Sequence, residues 1–170
     1  MTAILIGIGA NLAPDGYTTP RQGCEAAIAC LPGRDIAVTA ISTWYETAPV
    51  PVSDQPWFNN AVIAAETALP AEEALAALHE IEARFGRVRT VRNAARVLDL
   101  DLLDYGRQCH DGERLTIPHP RLRERAFVLL PLRDVAPDYV HPGSNIHIDE
   151  LISRLPPDQM IRPLGPDGTG

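Results

Sequence analysis

The chain has 170 residues and a mass of 18.5 kDa, enough for one domain with a real core. Hydrophobic residues are 45% of it and charged residues 22%, which excludes a disordered chain. The net charge of −7 argues against a nucleic-acid coat, and all 15 basic residues are arginine, so no Schiff-base or P-loop lysine is available.

The chain opens without a basic leader, and its first apolar run is far too short for a signal peptide or a membrane span. Cys24, Cys30 and Cys109 have no metal-binding spacing and read as free thiols, so a cytoplasmic protein is expected. Ala3–Ile8 is apolar, ends at Gly9 and predicts a buried strand. Thr19-Pro20 forms an N-cap and first-turn pair for a helix reaching about Leu31. Ile36–Thr47 is rich in β-branched and aromatic residues and predicts one strand, and Asn60–Thr67 predicts another. Between them, Ala48–Asn59 holds three prolines and reads as a loop.

Pro70–Phe85 carries the clearest helical pattern, with Glu72 and Glu73 in its first turn and Leu75, Leu78, Ile81 and Phe85 at helical spacing. Val97–Leu103 predicts a strand. A further strand and short helix are expected near residues 107–116 and 121–135, and Ile148–Leu155 predicts a last helix. The Pro- and Gly-rich residues 156–170 are expected to form a loose tail behind a single domain of residues 1–155. The order βαββαβ, plus C-terminal additions, predicts an α+β, ferredoxin-like fold with helices packed on the faces of an antiparallel sheet.

The sharpest chemical signal is Leu98-Asp99-Leu100-Asp101-Leu102. In a strand the leucines face one way, and the two aspartates face the other about 6.6 Å apart. Paired carboxylates on one face repel unless a cation sits between them, and hard oxygen ligands suit Mg²⁺. The bland alternative is a solvated sheet face. Ten of the 15 arginines lie between Arg84 and Arg125, a segment of net charge +4 inside an acidic chain. Arg87, Arg89, Arg92 and Arg96 lead directly into the paired acids, and a metal beside guanidinium forks is the equipment for gripping a triphosphate. A second cluster, Pro118-His119-Pro120-Arg121 with Arg123 and Arg125, restricts the backbone around His119. Residues 54–60, Asp-Gln-Pro-Trp-Phe-Asn-Asn, read as a loop that combines aromatic faces with amide edges, as a flat heteroaromatic ligand requires; the bland alternative is aromatics that plug the edge of the core. Gly7-Ile8-Gly9 lacks the full dinucleotide-binding spacing and is set aside.

Taken in order and at these spacings, the motifs resemble the 6-hydroxymethyl-7,8-dihydropterin pyrophosphokinases of folate biosynthesis. The likeness runs from Gly7-Ile8-Gly9-Ala10-Asn11-Leu12 through Ser42–Thr47, Asp54–Ala61, Gly86–Arg89, Arg96–Asp101 and Leu115–Arg121, to about Pro137. It implies transfer of the pyrophosphoryl group of ATP to the hydroxymethyl group of the reduced pterin, with release of AMP. It implies two Mg²⁺ ions at Asp99 and Asp101. Arg87, Arg96, His119 and Arg125 match phosphate-binding and catalytic positions. Phe58 and Phe127 match the aromatics that sandwich the pterin, while Asn60 and the backbone around Thr47 and Val50 match positions that read its polar edge. Arg89, Arg92 and Arg123 are expected to bind ATP, with Leu102, Leu115 and Thr116 at its adenine pocket. The implied partners are these two small molecules, with neither nucleic acid nor membrane, and the implied state is a monomer.

Three departures stand out. No tryptophan precedes Arg96, Ala10 replaces a usual serine, and Ala48 replaces a proline. None removes a metal ligand or a phosphate arginine. Two rivals share some of these features: a ferredoxin-like RNA-binding module, which leaves the paired acids unexplained, and a metal-dependent phosphohydrolase, which would pass phosphate to water.

Overall fold

In the computed structural model the described residues are 1–49, 51, 53–86 and 96–164. Strand β1 (Thr2–Ala10) is the organising element. Its alternation turns Ile4, Ile6, Ile8 and Ala10 to one face and Leu5, Gly7 and Gly9 to the other. On the first face lie helix α1 (Pro20–Cys30), started by Thr19 accepting from Gln22 N at 3.1 Å, and helix α2 (Ala71–Arg84). Cys24 is fully buried there, and burial pushes its thiol up to about 12, which leaves it inert. The predicted apolar stripe of α2 is present at Leu78 and Ile81, while Leu75 and Phe85 lie at its half-buried margin. Glu80, one turn before Arg84, accepts a hydrogen bond from Arg34.

The sheet is antiparallel throughout. Strand β1 lies between β4 (Phe58–Thr67) and β5 (Asp99–Tyr105), and β4 pairs on its far side with both β2 (Ile36–Ile41) and β3 (Tyr45–Thr47). This is the expected α+β, ferredoxin-like arrangement with one refinement. Residues 36–47 are two strands, because the chain leaves the ladder at Ser42, whose hydroxyl accepts from Val62 N at 2.9 Å, and Trp44 turns into the core. A two-strand ribbon, β6 (His110–Asp111) with β7 (Thr116–Ile117), leads to α3 (Ala126–Val135) and α4 (Ile148–Ser153). These two helices cover the second face over Leu5, Val62 and Leu103.

Within the expected loose tail, residues 161–164 are docked on the sheet. Ile161–Pro163 form β8, which pairs with β3 at the sheet edge, and Leu164 is buried in the core. The apolar Ile161 and Leu164 give this Pro-rich segment something to dock, and β3 offers it an unpaired edge. No helix among the described residues is long and apolar enough to cross a membrane.

Candidate active site

Gly9 sits in the middle of a row that crosses three strands. Its register partners are Asn60 on β4 and Asp99 on β5, so all three point to the face covered by α3. Two residues along, Gly7 faces Asp101 in the same way. Neither glycine position has room to spare: the Asn60 side chain lies over Gly9, and the Leu103 side chain packs over Gly7. The alternation expected for β5 holds, since Leu98, Leu100 and Leu102 are buried in the opposite core while Asp99 and Asp101 stay half-buried on the α3 face. The third acid of this strand, Asp104, is fully buried and already committed to Tyr139 Oη at 2.9 Å and Arg107 N at 2.9 Å.

A cavity of about 420 Å³ opens above this row. Its floor is Gly9, Asn60, Phe58 and Thr47, residues of one face by the period of two. Asn60 is buried and donates to Thr47 Oγ1 at 2.7 Å. Arg96 and Asp99 form one wall, with Arg96 Nη1 donating to Asp99 Oδ2 at 2.9 Å. Arg125 and Phe127, at the start of α3, form the opposite wall, and the Arg125 guanidinium lies 5.2 Å from the Phe127 ring centroid. Burial lowers the pKa of Arg125, while Asp101 and Asp99 nearby work against that shift.

Asn11, just past β1, ties the walls together. Its Oδ1 accepts from Arg96 N at 2.8 Å, and its Nδ2 donates to Gln55 Oε1 and Pro56 O, both at 3.1 Å. One buried amide therefore holds both the arginine and the aromatic-amide loop.

His119 borders this charge cluster. Its backbone N–H donates to Leu103 O, and its Nδ1 accepts from Arg121 N at 3.1 Å, so the neutral ring carries its proton on Nε2. Burial, reinforced by Arg125 and Arg121 and opposed by Asp99, lowers its pKa to about 4.

The remaining expected residues fall elsewhere. The side chains of Leu102 and Leu115 are buried in the core on the opposite face, and Thr116 is exposed on β7. Arg123 is exposed on the turn before α3 and is close enough to help lower the pKa of His141. Val50, Arg87, Arg89 and Arg92 lie outside the described residues. The cavity also contains Arg121, Glu124, Asp158 and Gln159, none of them among the expected site residues. Arg121 belonged to a visible basic cluster, whereas Asp158 and Gln159 arrive from the far end of the chain with no local signal.

The donor set fits Mg²⁺. Asp99 and Asp101 offer two half-buried carboxylates on one face of β5, and no group of three or more His, Cys, Asp or Glu side chains is gathered among the described residues. Mg²⁺ is commonly held by one or two carboxylates with phosphate and water, whereas an all-protein cage is the habit of other ions.

Known proteins share much of this sequence and fold. The family model described as 7,8-dihydro-6-hydroxymethylpterin-pyrophosphokinase (HPPK) matches residues 5–137. A 2-amino-4-hydroxy-6-hydroxymethyldihydropteridine pyrophosphokinase of Methylorubrum extorquens is 40% identical over 163 residues, covering 95% of this chain and 99% of that protein. One from Pseudomonas aeruginosa is 40% identical over 156 residues, covering 90% and 91%. The folic acid synthesis protein fol1 of Pneumocystis carinii is 41% identical over 133 residues, and there the chain covers only 18% of a much longer protein. Among solved structures, a Plasmodium falciparum HPPK-DHPS crystal structure with pterin and p-hydroxybenzoate superposes with a TM-score of 0.67. At 15% identity, over 90% of this chain and 43% of that one, it shows a common fold. The match to the family model over most of the sequence, with relatives aligned almost end to end, places this chain in the 7,8-dihydro-6-hydroxymethylpterin-pyrophosphokinase family.

Proposed function

We propose that the cavity between the β1–β4–β5 row and the start of α3 is where this chain carries out the activity of its family. The chain is a pyrophosphokinase of folate synthesis. It moves the terminal pyrophosphoryl group of ATP to the hydroxymethyl oxygen of 6-hydroxymethyl-7,8-dihydropterin. The observation that supports this location is the row Asp99–Gly9–Asn60, which sets a carboxylate and a hydrogen-bonding amide on either side of Gly9 in a cavity shared with Arg96, Arg125, Phe58 and Phe127.

The chemistry requires one bond to form, from the hydroxymethyl oxygen to the β-phosphorus, and one to break, from that phosphorus to the oxygen it shares with the α-phosphorus. The alcohol loses its proton and AMP departs with the bridging oxygen. Phe58 and Phe127 grip the pterin ring by its faces, and Asn60 and Thr47 meet its polar edge. This fixes the hydroxymethyl group toward Asp99. Arg96 and Arg125 take up the charge on the phosphates, and His119 offers a neutral Nε2–H donor. Asp99 and Asp101 would hold Mg²⁺, two ions in this reading, and the bound metal would supply Lewis-acid charge for the phosphate oxygens and a lower pKa for the alcohol. Arg87, Arg89, Arg92 and Arg123 complete the grip on ATP. The backbone near Leu102, Leu115 and Thr116 borders its adenine, since the two leucine side chains face the core. The chain acts as a cytoplasmic monomer on these two small molecules.

Asp99→Ala and Asp101→Ala test the assignment. Each is expected to abolish Mg²⁺-dependent AMP formation, and near-native turnover by either variant overturns the metal site.

A further inference from the structure

Gln159 lies beyond the region matched by the family model, in the segment between α4 and β8. Its side chain reaches back more than thirty residues. Oε1 accepts from Ala126 N at 2.8 Å, and Nε2 donates to Glu124 O at 2.8 Å. These two backbone groups flank Arg125. Ala126 is the first residue of α3, and the N-cap residue, Arg125, makes no side-chain capping bond. The amide at the head of this helix is thus satisfied from the other end of the chain.

The segment that carries Gln159 is itself anchored to the pterin wall. Ala48 N donates to Met160 O at 3.1 Å, Ile161 is the register partner of Thr47, and Leu164 N donates to Trp44 O at 2.8 Å. Arg162 adds an ion pair to Glu46 at 2.7 Å and lies over the Trp57 ring. Gln159 therefore links two sides of one cavity, the β3 end of its floor at Thr47 and the α3 wall with Arg125 and Phe127.

We propose that Gln159 is a positioning residue for pyrophosphoryl transfer. Its carboxamide clamps the backbone on both sides of Arg125, which sets the guanidinium toward Asp99 and Asp101 and holds Phe127 against the cavity. The proposal rests on the functional reading above. A backbone free to shift by an ångström at this point misplaces a charge that matters most in the transition state.

The test is Gln159→Leu, which keeps the bulk of the side chain but neither donates nor accepts. In the AMP-release assay kcat is expected to fall about 10–100-fold, with a smaller change in the KM for ATP. By NMR hydrogen exchange, the Ala126 amide is expected to lose protection. Arg162→Ala, which removes the exposed ion pair of β8 but leaves the clamp, is expected to keep kcat within about twofold, surface pairs being weak. Wild-type kcat in Gln159→Leu overturns the proposal. So does a lower melting temperature with kcat unchanged, because that is a purely structural role. Equal losses of kcat in Gln159→Leu and Arg162→Ala overturn it too, since the strand and not the clamp would then matter. If the wild-type chain itself releases no AMP, the functional reading fails first; an active wild type with an unaffected Gln159→Leu isolates the failure to the clamp.

Discussion

A Cβ on Gly9 would lie 2.3 Å from Asn60 Oδ1, its register partner across β1 and β4. The missing Cβ makes room for the buried Asn60 amide that donates to Thr47. Gly9→Ala is expected to push Asn60 off Thr47 and to weaken pterin binding about tenfold, the size of one well-placed hydrogen bond. ATP affinity should stay within about twofold. Calorimetry with each ligand reads both, and an unchanged pterin affinity would show that Asn60 does not read the pterin.

Phe58 sits on the same floor, two residues before Asn60. Phe58→Ala is expected to cost the pterin about 1–3 kcal/mol, the range measured for base–aromatic stacking. The loss should appear in the pterin dissociation constant, with the KM for ATP nearly unchanged. Calorimetry showing no effect would sink the sandwich.

Arg96 pairs with Asp99 and borders the cavity, with its backbone held by Asn11. Arg96→Ala is expected to lower kcat far more than pterin affinity, because its contact strengthens as charge moves onto AMP. Steady-state kinetics beside pterin calorimetry separate the two effects. A loss of equal size in both would make Arg96 a binding residue only.

His119 makes a prediction in pH. Burial holds its pKa near 4 in the folded chain, against an ordinary value of 6.5. Between those values the unfolded chain binds more protons, so the contribution of His119 to stability is fully present above about 6.5. It is lost as the pH falls through 4. An NMR titration of the ligand-free chain should place the His119 midpoint near 4. Saturating ATP should raise it, because phosphate favours the charged ring. A midpoint near 6.5 in the ligand-free chain would contradict the buried, neutral donor.

Much of this arrangement is legible in the residues themselves. The alternation of Leu98 to Leu102 places both aspartates on one face, and the same alternation sends Leu102 into the core. The helical spacing of α2 and the capping pair Thr19-Pro20 hold because both are local signals. What escaped is non-local. The break at Ser42 depends on a hydroxyl accepting from Val62, twenty residues on. Strand β8 depends on an edge that β3 leaves open, and the partners of Gln159 lie 33 and 35 residues back. No local pattern in a Pro-rich tail announces such pairings. Arg87, Arg89, Arg92 and Val50 were read from motifs and lie outside the described residues.

If the Asp99–Gly9–Asn60 row and the head of α3 form one transfer site, the pyrophosphoryl group passes from ATP to the pterin without reaching water. Phosphorus NMR of the wild-type chain with ATP, Mg²⁺ and 6-hydroxymethyl-7,8-dihydropterin tests it most directly. One AMP is expected for each pterin diphosphate formed, with no free pyrophosphate and no AMP when the pterin is omitted. Free pyrophosphate or phosphate with unchanged pterin, or ADP with a pterin monophosphate, would contradict it.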